Sequence, residues 1–86
     1  MKIVRSSRFD RKYRKLPVVI QRKFDEEIKL LVTSNYAHPS LRIKRIQGTS
    51  SIWEASIDMD YRFTFEKLEG GIKLRNIGKH PIIKNP

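Results

Sequence analysis

Ile52-Trp53-Glu54-Ala55-Ser56-Ile57-Asp58-Met59-Asp60-Tyr61-Arg62-Phe63-Thr64-Phe65-Glu66-Lys67-Leu68 is the stretch on which the fold turns. Apolar and polar residues alternate on both sides of a polar interruption, the mark of two half-buried strands joined by a tight loop. If Trp53, Ala55 and Ile57 face a core together with Tyr61, Phe63 and Phe65, then 57 opposes 61, 55 opposes 63 and 53 opposes 65. That register leaves Asp58-Met59-Asp60 as a three-residue loop, with Asp60 tolerable in the left-handed position. It also sets Ser56 across from Arg62 and Glu54 across from Thr64. One face of the hairpin is therefore polar and carries a carboxylate diagonal to a guanidinium.

Downstream, Glu69-Gly70 reads as a two-residue turn into a strand from Gly71 to Ile77 that pairs 68 with 71, 66 with 73 and 65 with 74. An antiparallel meander follows. By parity His80 falls on the side of Leu74, and it joins Arg62 only if the strand ends or bulges near Gly78. Upstream, Leu41 to Ile46 reads as a strand studded with Arg42, Lys44 and Arg45, with a turn over Gly48 to Ser51 behind it and loop chemistry at Asn35 to Ser40 before it.

The first third of the chain is different. Ile3 and Val4 suggest a short strand, and Ser6 or Ser7 offers a helix cap ahead of Phe9, Tyr13 and Leu16 at helical spacing. Pro17 interrupts and can open a second helix whose apolar positions Ile20, Phe24, Ile28 and Leu31 recur at helical intervals to about Thr33. The expectation is an α-hairpin with Arg8, Arg11, Lys12, Arg14, Lys15, Arg22 and Lys23 mostly on its solvated side.

With 86 residues there is material for one domain, residues 1–86, and one modest core. The 19 Lys and Arg against 9 Asp and Glu give a formal net charge of +10, which draws the protein toward polyanions: nucleic acid, an acidic protein or an anionic membrane. No cysteine occurs, which excludes disulfide and thiolate chemistry, and His38 and His80 lack spaced partners of ligand type, so no metal or other cofactor is expected. No stretch has the apolar run of a signal peptide or membrane span, which leaves the cytoplasm as the default compartment. Serine-type hydrolysis fails for want of a nucleophile elbow, and phosphate-binding glycine loops are missing.

What remains is acid-base and electrostatic chemistry on a phosphodiester. RNA carries its own nucleophile in the 2′-hydroxyl, so such a site needs only a base, an acid and cations. Glu54 can take the hydroxyl proton, Arg62 can hold the charge that builds on the phosphoryl oxygens, and His80 can serve as acid or base. Plainer readings stand beside these: Glu54 as the ion-pair partner of Arg62, His80 as a surface or capping group, and Trp53 as core rather than a base-stacking platform.

A strand, two helices, then His38-Pro39-Ser40-Leu41-Arg42, Trp53-Glu54-Ala55-Ser56-Ile57, Asp60-Tyr61-Arg62-Phe63-Thr64-Phe65 and Ile77-Gly78-Lys79-His80 resemble the RelE/ParE superfamily of toxins from bacterial type II toxin-antitoxin systems. The resemblance spans essentially the whole chain. It implies an α+β fold related to the microbial ribonucleases, with two N-terminal helices packed on a small curved antiparallel sheet. In the RelE branch it implies a metal-independent endoribonuclease that cleaves messenger RNA, usually on the ribosome, and so stops translation. Arg62 then falls on a catalytic phosphate contact, His80 on the general acid or cation near the C-terminal end, and Arg42, Lys44 and Arg45 on the RNA-contacting strand, with Lys79 added to that set. The partners implied are messenger RNA, the ribosome and an acidic cognate antitoxin, and no membrane.

The chain departs from the family pattern in three places. Glu54 and Ser56 stand where RelE has two lysines. Pro81-Ile82-Ile83 follows the histidine where many relatives place an aspartate or a stacking aromatic residue. The sequence ends at Pro86, where some relatives have a C-terminal helix. Two other functions stay open: a ParE-like inhibitor of DNA gyrase that needs no acid-base pair, and a catalytically inactive basic binding module.

Overall fold

The computed structural model describes all 86 residues. Strand β1 (Lys2–Arg5) leads into helix α1 (Ser7–Arg14) and helix α2 (Val18–Ser34), and a single 3-10 turn (Pro39–Leu41) then precedes β2 (Lys44–Arg45), β3 (Ile52–Ser56), β4 (Tyr61–Leu68) and β5 (Gly71–Lys79). A second 3-10 segment, His80–Lys84, follows β5. The five strands form one sheet in the order β1-β5-β4-β3-β2.

The central hairpin has the register that alternation requires: Trp53 opposes Phe65, Ala55 opposes Phe63 and Ser56 opposes Arg62. The Ile57 N–H donates to the Tyr61 carbonyl at 2.9 Å. Asp60 does not adopt the left-handed conformation. The loop is closed instead by Asp58, whose Oδ1 accepts the N–H groups of Asp60 at 2.9 Å and Tyr61 at 2.8 Å. A short acceptor side chain thus satisfies two turn amides without demanding positive φ.

Four other expectations need correction. The sheet is mixed, because β1 pairs in parallel with β5, placing Ile3 beside Ile72. Gly71 permits that pairing: a Cβ there would lie 2.1 Å from the Lys2 carbonyl oxygen. The strand expected over 41–46 shrinks to Lys44–Arg45. Pro39 starts a 3-10 turn capped by His38, whose Nδ1 accepts the Ser40 N–H at 3.2 Å, and Arg42 leaves it at φ 47. β5 runs two residues beyond Ile77, to Lys79. Finally, the sheet does bulge, but at Arg75: Thr64 opposes Asn76 while Phe65 opposes Leu74, leaving Arg75 as the extra residue.

Ser6 is the cap of α1, its Oγ accepting the Phe9 N–H at 3.0 Å and donating to the Arg75 carbonyl at 3.0 Å. One hydroxyl thereby ties the helix start to the bulge. Pro17 stands just ahead of α2 with φ −54, and Asn35 at φ 51 ends that helix. The helices cover the face of the sheet that carries Ala55, Phe63, Phe65, Ile72, Leu74 and Ile77, joined there by Phe9, Phe24 and Leu31. Phe24 meets Phe63 edge-on at 5.1 Å between ring centroids, the arrangement that ring quadrupoles favour.

Candidate nucleic-acid interface and active site

The opposite face of the sheet is polar. Strand parity puts Glu54 and Ser56 of β3, Arg62, Thr64 and Glu66 of β4, and Lys73 of β5 on it. Beyond Arg75 the parity of β5 inverts, so Asn76 and Gly78 join this face while Ile77 turns to the core. The bulge is therefore what lets one strand place Leu74 and Ile77 inside and Asn76 and Gly78 outside.

Arg62 and Gly78 are direct partners, and the His80 N–H donates to the Asp60 carbonyl at 3.0 Å, two residues further along the same pairing. The backbone thus brings positions 62 and 80 to neighbouring places, with His80 exposed and Arg62 half-buried. The Arg62 Nη1 donates to the carbonyls of Asp58 and Tyr61, the latter at 3.0 Å, so the guanidinium is held over the hairpin loop by neutral acceptors and meets no carboxylate. Its charge stays available to an anion.

Glu54 is buried, and its partner is Lys44, with Nζ 3.9 Å from Oε1; the pairing with Arg62 weighed from the sequence does not form. Glu54, Lys44 and Arg45 line a cavity of about 400 Å³ that Ile83 and Lys84 close from the other side. Arg42 stands apart from them. It lines a separate cavity of about 250 Å³ at the Ser56 end of β3, beyond the residues that β2 pairs, with Glu27, Ser40, Ser56 and Asp58. Burial there raises the Glu27 carboxyl above the usual carboxylate range, against the smaller opposing pull of the Ser40 hydroxyl and His38. Lys79 opposes Tyr61, which packs against the core, so parity sets Lys79 on the helix side of the sheet and away from Arg62. The structure accordingly sets Arg62 and His80 at neighbouring backbone positions, keeps Glu54, Lys44 and Arg45 together two residue pairs away, puts Arg42 in a cavity that reaches Ser56 and Asp58 beside Arg62, and turns Lys79 to the other face.

Residues 80–86 lie across part of this polar face. Ile82 is buried against Gly78, where a Cβ would come 2.9 Å from the Ile82 Cγ2. The Asn76 Nδ2 donates to the Asn85 carbonyl at 3.0 Å, and Asn76 and Thr64 are almost fully enclosed. Arg8 and Arg75 also reach this segment; sequence reading leaves Arg8 among the solvated charges of the helices and assigns Arg75 no role. Their signal was the parity break, invisible until Thr64 and Asn76 are seen to pair.

Four ion pairs engage cations in the whole molecule: Arg5 with Asp10, Lys23 with Asp58, Lys44 with Glu54, and Arg75 with Glu66. Most of the 19 basic side chains therefore face solvent or neutral acceptors, which leaves the surface strongly electropositive. No three His, Cys, Asp or Glu side chains cluster as metal ligands, and no helix is long and apolar enough to cross a membrane.

No protein-family model matches the sequence, and neither does any curated protein. Solved structures do resemble it. The chain superposes on a RelB-RelE antitoxin-toxin complex from Methanococcus jannaschii with a TM-score of 0.76 at 20% identity, covering 95% of each chain. A YoeB/ParE toxin from Agrobacterium tumefaciens gives 0.77 at 16% identity over 93% of this chain and 99% of that one. The DinJ-YafQ complex from E. coli gives 0.73 at 15% identity over 93% of both. Two helices on a five-stranded mixed sheet, in this order and over nearly the full length of each neighbour, make this the fold of the RelE, YoeB and YafQ toxins.

Proposed function

We propose that this chain is the toxin of a type II toxin-antitoxin pair and acts as a metal-independent endoribonuclease on messenger RNA at the ribosome. The observation that carries the reading is the placement of Arg62 and His80 at adjacent positions on the open face of a RelE-type sheet. In the proposed reaction the 2′-hydroxyl oxygen attacks the adjacent phosphorus and the bond to the 5′-oxygen breaks, leaving a 2′,3′-cyclic phosphate and a free 5′-hydroxyl. Glu54 takes the 2′-hydroxyl proton, Arg62 neutralises the charge growing on the non-bridging oxygens, and His80 gives a proton to the departing 5′-oxygen. Lys44 and Arg45, beside Glu54, hold the flanking backbone. Arg42, in the cavity that reaches Ser56 and Asp58, and Lys79, on the helix side of the sheet, serve as peripheral contacts to folded RNA.

The partner that restrains such a toxin is an acidic antitoxin, by charge complementarity to a chain of net charge +10 and by the company of the structural neighbours, two of which are complexes with RelB and DinJ. Such a pair works in the cytoplasm.

Induced expression is expected to arrest growth, with primer extension showing cuts inside ribosome-occupied codons. Arg62→Ala and His80→Gln should each slow cleavage about 10²- to 10³-fold, the usual loss for a charge-stabilising group or a general acid. Arrest with intact messages and inhibited gyrase would replace this reading with the ParE-like one; no arrest would leave an inactive binding module.

A further inference from the structure

Four donors converge where residues 85–86 lie. The Pro86 main-chain oxygen accepts from Arg8 Nη2 at 2.8 Å, from Arg75 Nε at 3.1 Å and, more weakly, from Thr64 Oγ1 at 3.4 Å, while Asn76 Nδ2 holds the Asn85 carbonyl beside it. Thr64 and Asn76 are buried, 0% and 2% exposed, so the donors are fixed in place. Arg8 also donates from Nε to the Arg75 main-chain carbonyl at 3.2 Å, which fixes the Arg8 guanidinium to the bulge of β5. Glu66 answers Arg75; no Asp or Glu side chain pairs with Arg8. Burial lowers the Arg8 pKa, with the neighbouring charges of Arg75 and Arg11 adding to the effect. Beside this cluster Ser6, Arg8, Lys73 and Arg75 line an open cavity of about 230 Å³. Two guanidiniums that share one main-chain oxygen next to a polar hollow form a site built for an anion.

Its position fits the RNA strand. Thr64 and Asn76 are the pair next to Arg62 and Gly78 on the same face, about 7 Å away along the strands, close to the length of one nucleotide.

We propose that Arg8, Arg75, Thr64 and Asn76 form a second phosphate-binding subsite for the RNA strand, beside the Arg62 position, and that residues 85–86 occupy it in this conformation. The inference rests on the ribonuclease reading for its ligand. The segment from Ile82 to Pro86 is then a cover that RNA displaces, while the His80 N–H stays on the Asp60 carbonyl: the cover is anchored by Ile82 against Gly78 and by main-chain oxygens of residues 85 and 86.

The test is binding of a single-stranded 2′-O-methyl RNA, which has no free 2′-hydroxyl and is not cut, measured by fluorescence anisotropy across a salt series. Arg8→Gln should weaken binding about tenfold and reduce the slope of log K against log salt by about 0.7, the loss of one single-strand phosphate contact. Arg8→Lys should keep the slope, and Ile82→Ser, which frees the cover, should tighten binding. Arg8 is half-buried, so thermal melts check that each variant is folded, and Arg8→Lys, which keeps the charge, is the control. An unchanged slope for Arg8→Gln, or no tightening for Ile82→Ser, overturns the subsite. So does an Arg8→Gln variant that loses affinity for a polyglutamate peptide while keeping the RNA slope, since the site then belongs to an acidic protein. A chain that cuts RNA but shows no slope change loses the subsite alone. A chain that shows the slope change but neither cuts RNA nor arrests growth keeps the subsite and loses the ribonuclease reading.

Discussion

The two faces of one sheet differ in what holds their residues in place. On the helix side Phe63, Phe65, Ile72 and Ile77 are completely enclosed, and with Ala55 and Leu74 they make six apolar side chains from three strands that meet Phe9, Phe24 and Leu31 of α1 and α2 with no polar side-chain atom to satisfy. On the other side Glu54, Ser56, Thr64 and Asn76 are as enclosed as many core residues, yet each is polar, and the cover is a seven-residue segment rather than a helix layer. The first face is held by area removed from water, at about 25 cal/mol per Å². The second is held by hydrogen bonds whose net worth is about 1 kcal/mol each. A face of the first kind specifies the fold and a face of the second kind can be opened, which is what a ligand site needs.

The comparison breaks most sharply at Phe63. Phe63→Ala should cost about 3–5 kcal/mol, a large share of the stability of so small a domain, visible as a lower denaturation midpoint or as failure to fold. If the variant melts like the parent, the helix face is not the stabilising one. Gly71→Ala tests how β1 is attached: its Cβ would strike the Lys2 carbonyl, so a loss of about 1–3 kcal/mol with new amide exchange in residues 2–5 is expected. Arg62→Ala on the open face should shift stability by no more than about 1 kcal/mol, since only bonds to two loop carbonyls are lost, even as cleavage collapses. Equal losses of stability and activity would erase the distinction between the faces.

The smallest effect concerns Glu27, at the edge cavity. Because burial raises its folded-state pKa, the stability linked to this carboxyl is present at low pH and is lost as pH rises through the folded value. Glu27→Gln should therefore raise the melting temperature slightly at pH 7, by about 1–2 °C given the screening of a partly exposed group, and leave it unchanged near pH 3. A gain at pH 3 would reverse the sign and remove burial as the cause.

How far the sequence could be read follows the same division. Trp53 against Phe65 and Ser56 against Arg62 were legible because a one-residue slip would turn every aromatic ring to water. The helices were legible from Phe9, Tyr13, Phe24 and Leu31. β2 was misjudged in length because Arg42, Lys44 and Arg45 fit a strand as well as a solvated loop, and the 3-10 turn from Pro39 consumes its start. The place of Glu54 on the polar face was legible from the same alternation, but its partner Lys44 was not, since β2 offered no alternation to fix its register.

Alternation of apolar side chains by itself determined the hairpin, the two helices and the face on which Arg62 stands, because burying area is a local rule repeated at every second or fourth residue. Only the tertiary structure decided that β1 docks in parallel on β5, that Arg75 is the bulged residue, and that Asn76, Gly78 and His80 thereby come round to the Arg62 side. The first depends on contacts between residues nearly seventy positions apart, the others on a register shift between β4 and β5 that the Ser6 hydroxyl holds through the Arg75 carbonyl, and no periodicity within either segment encodes such contacts.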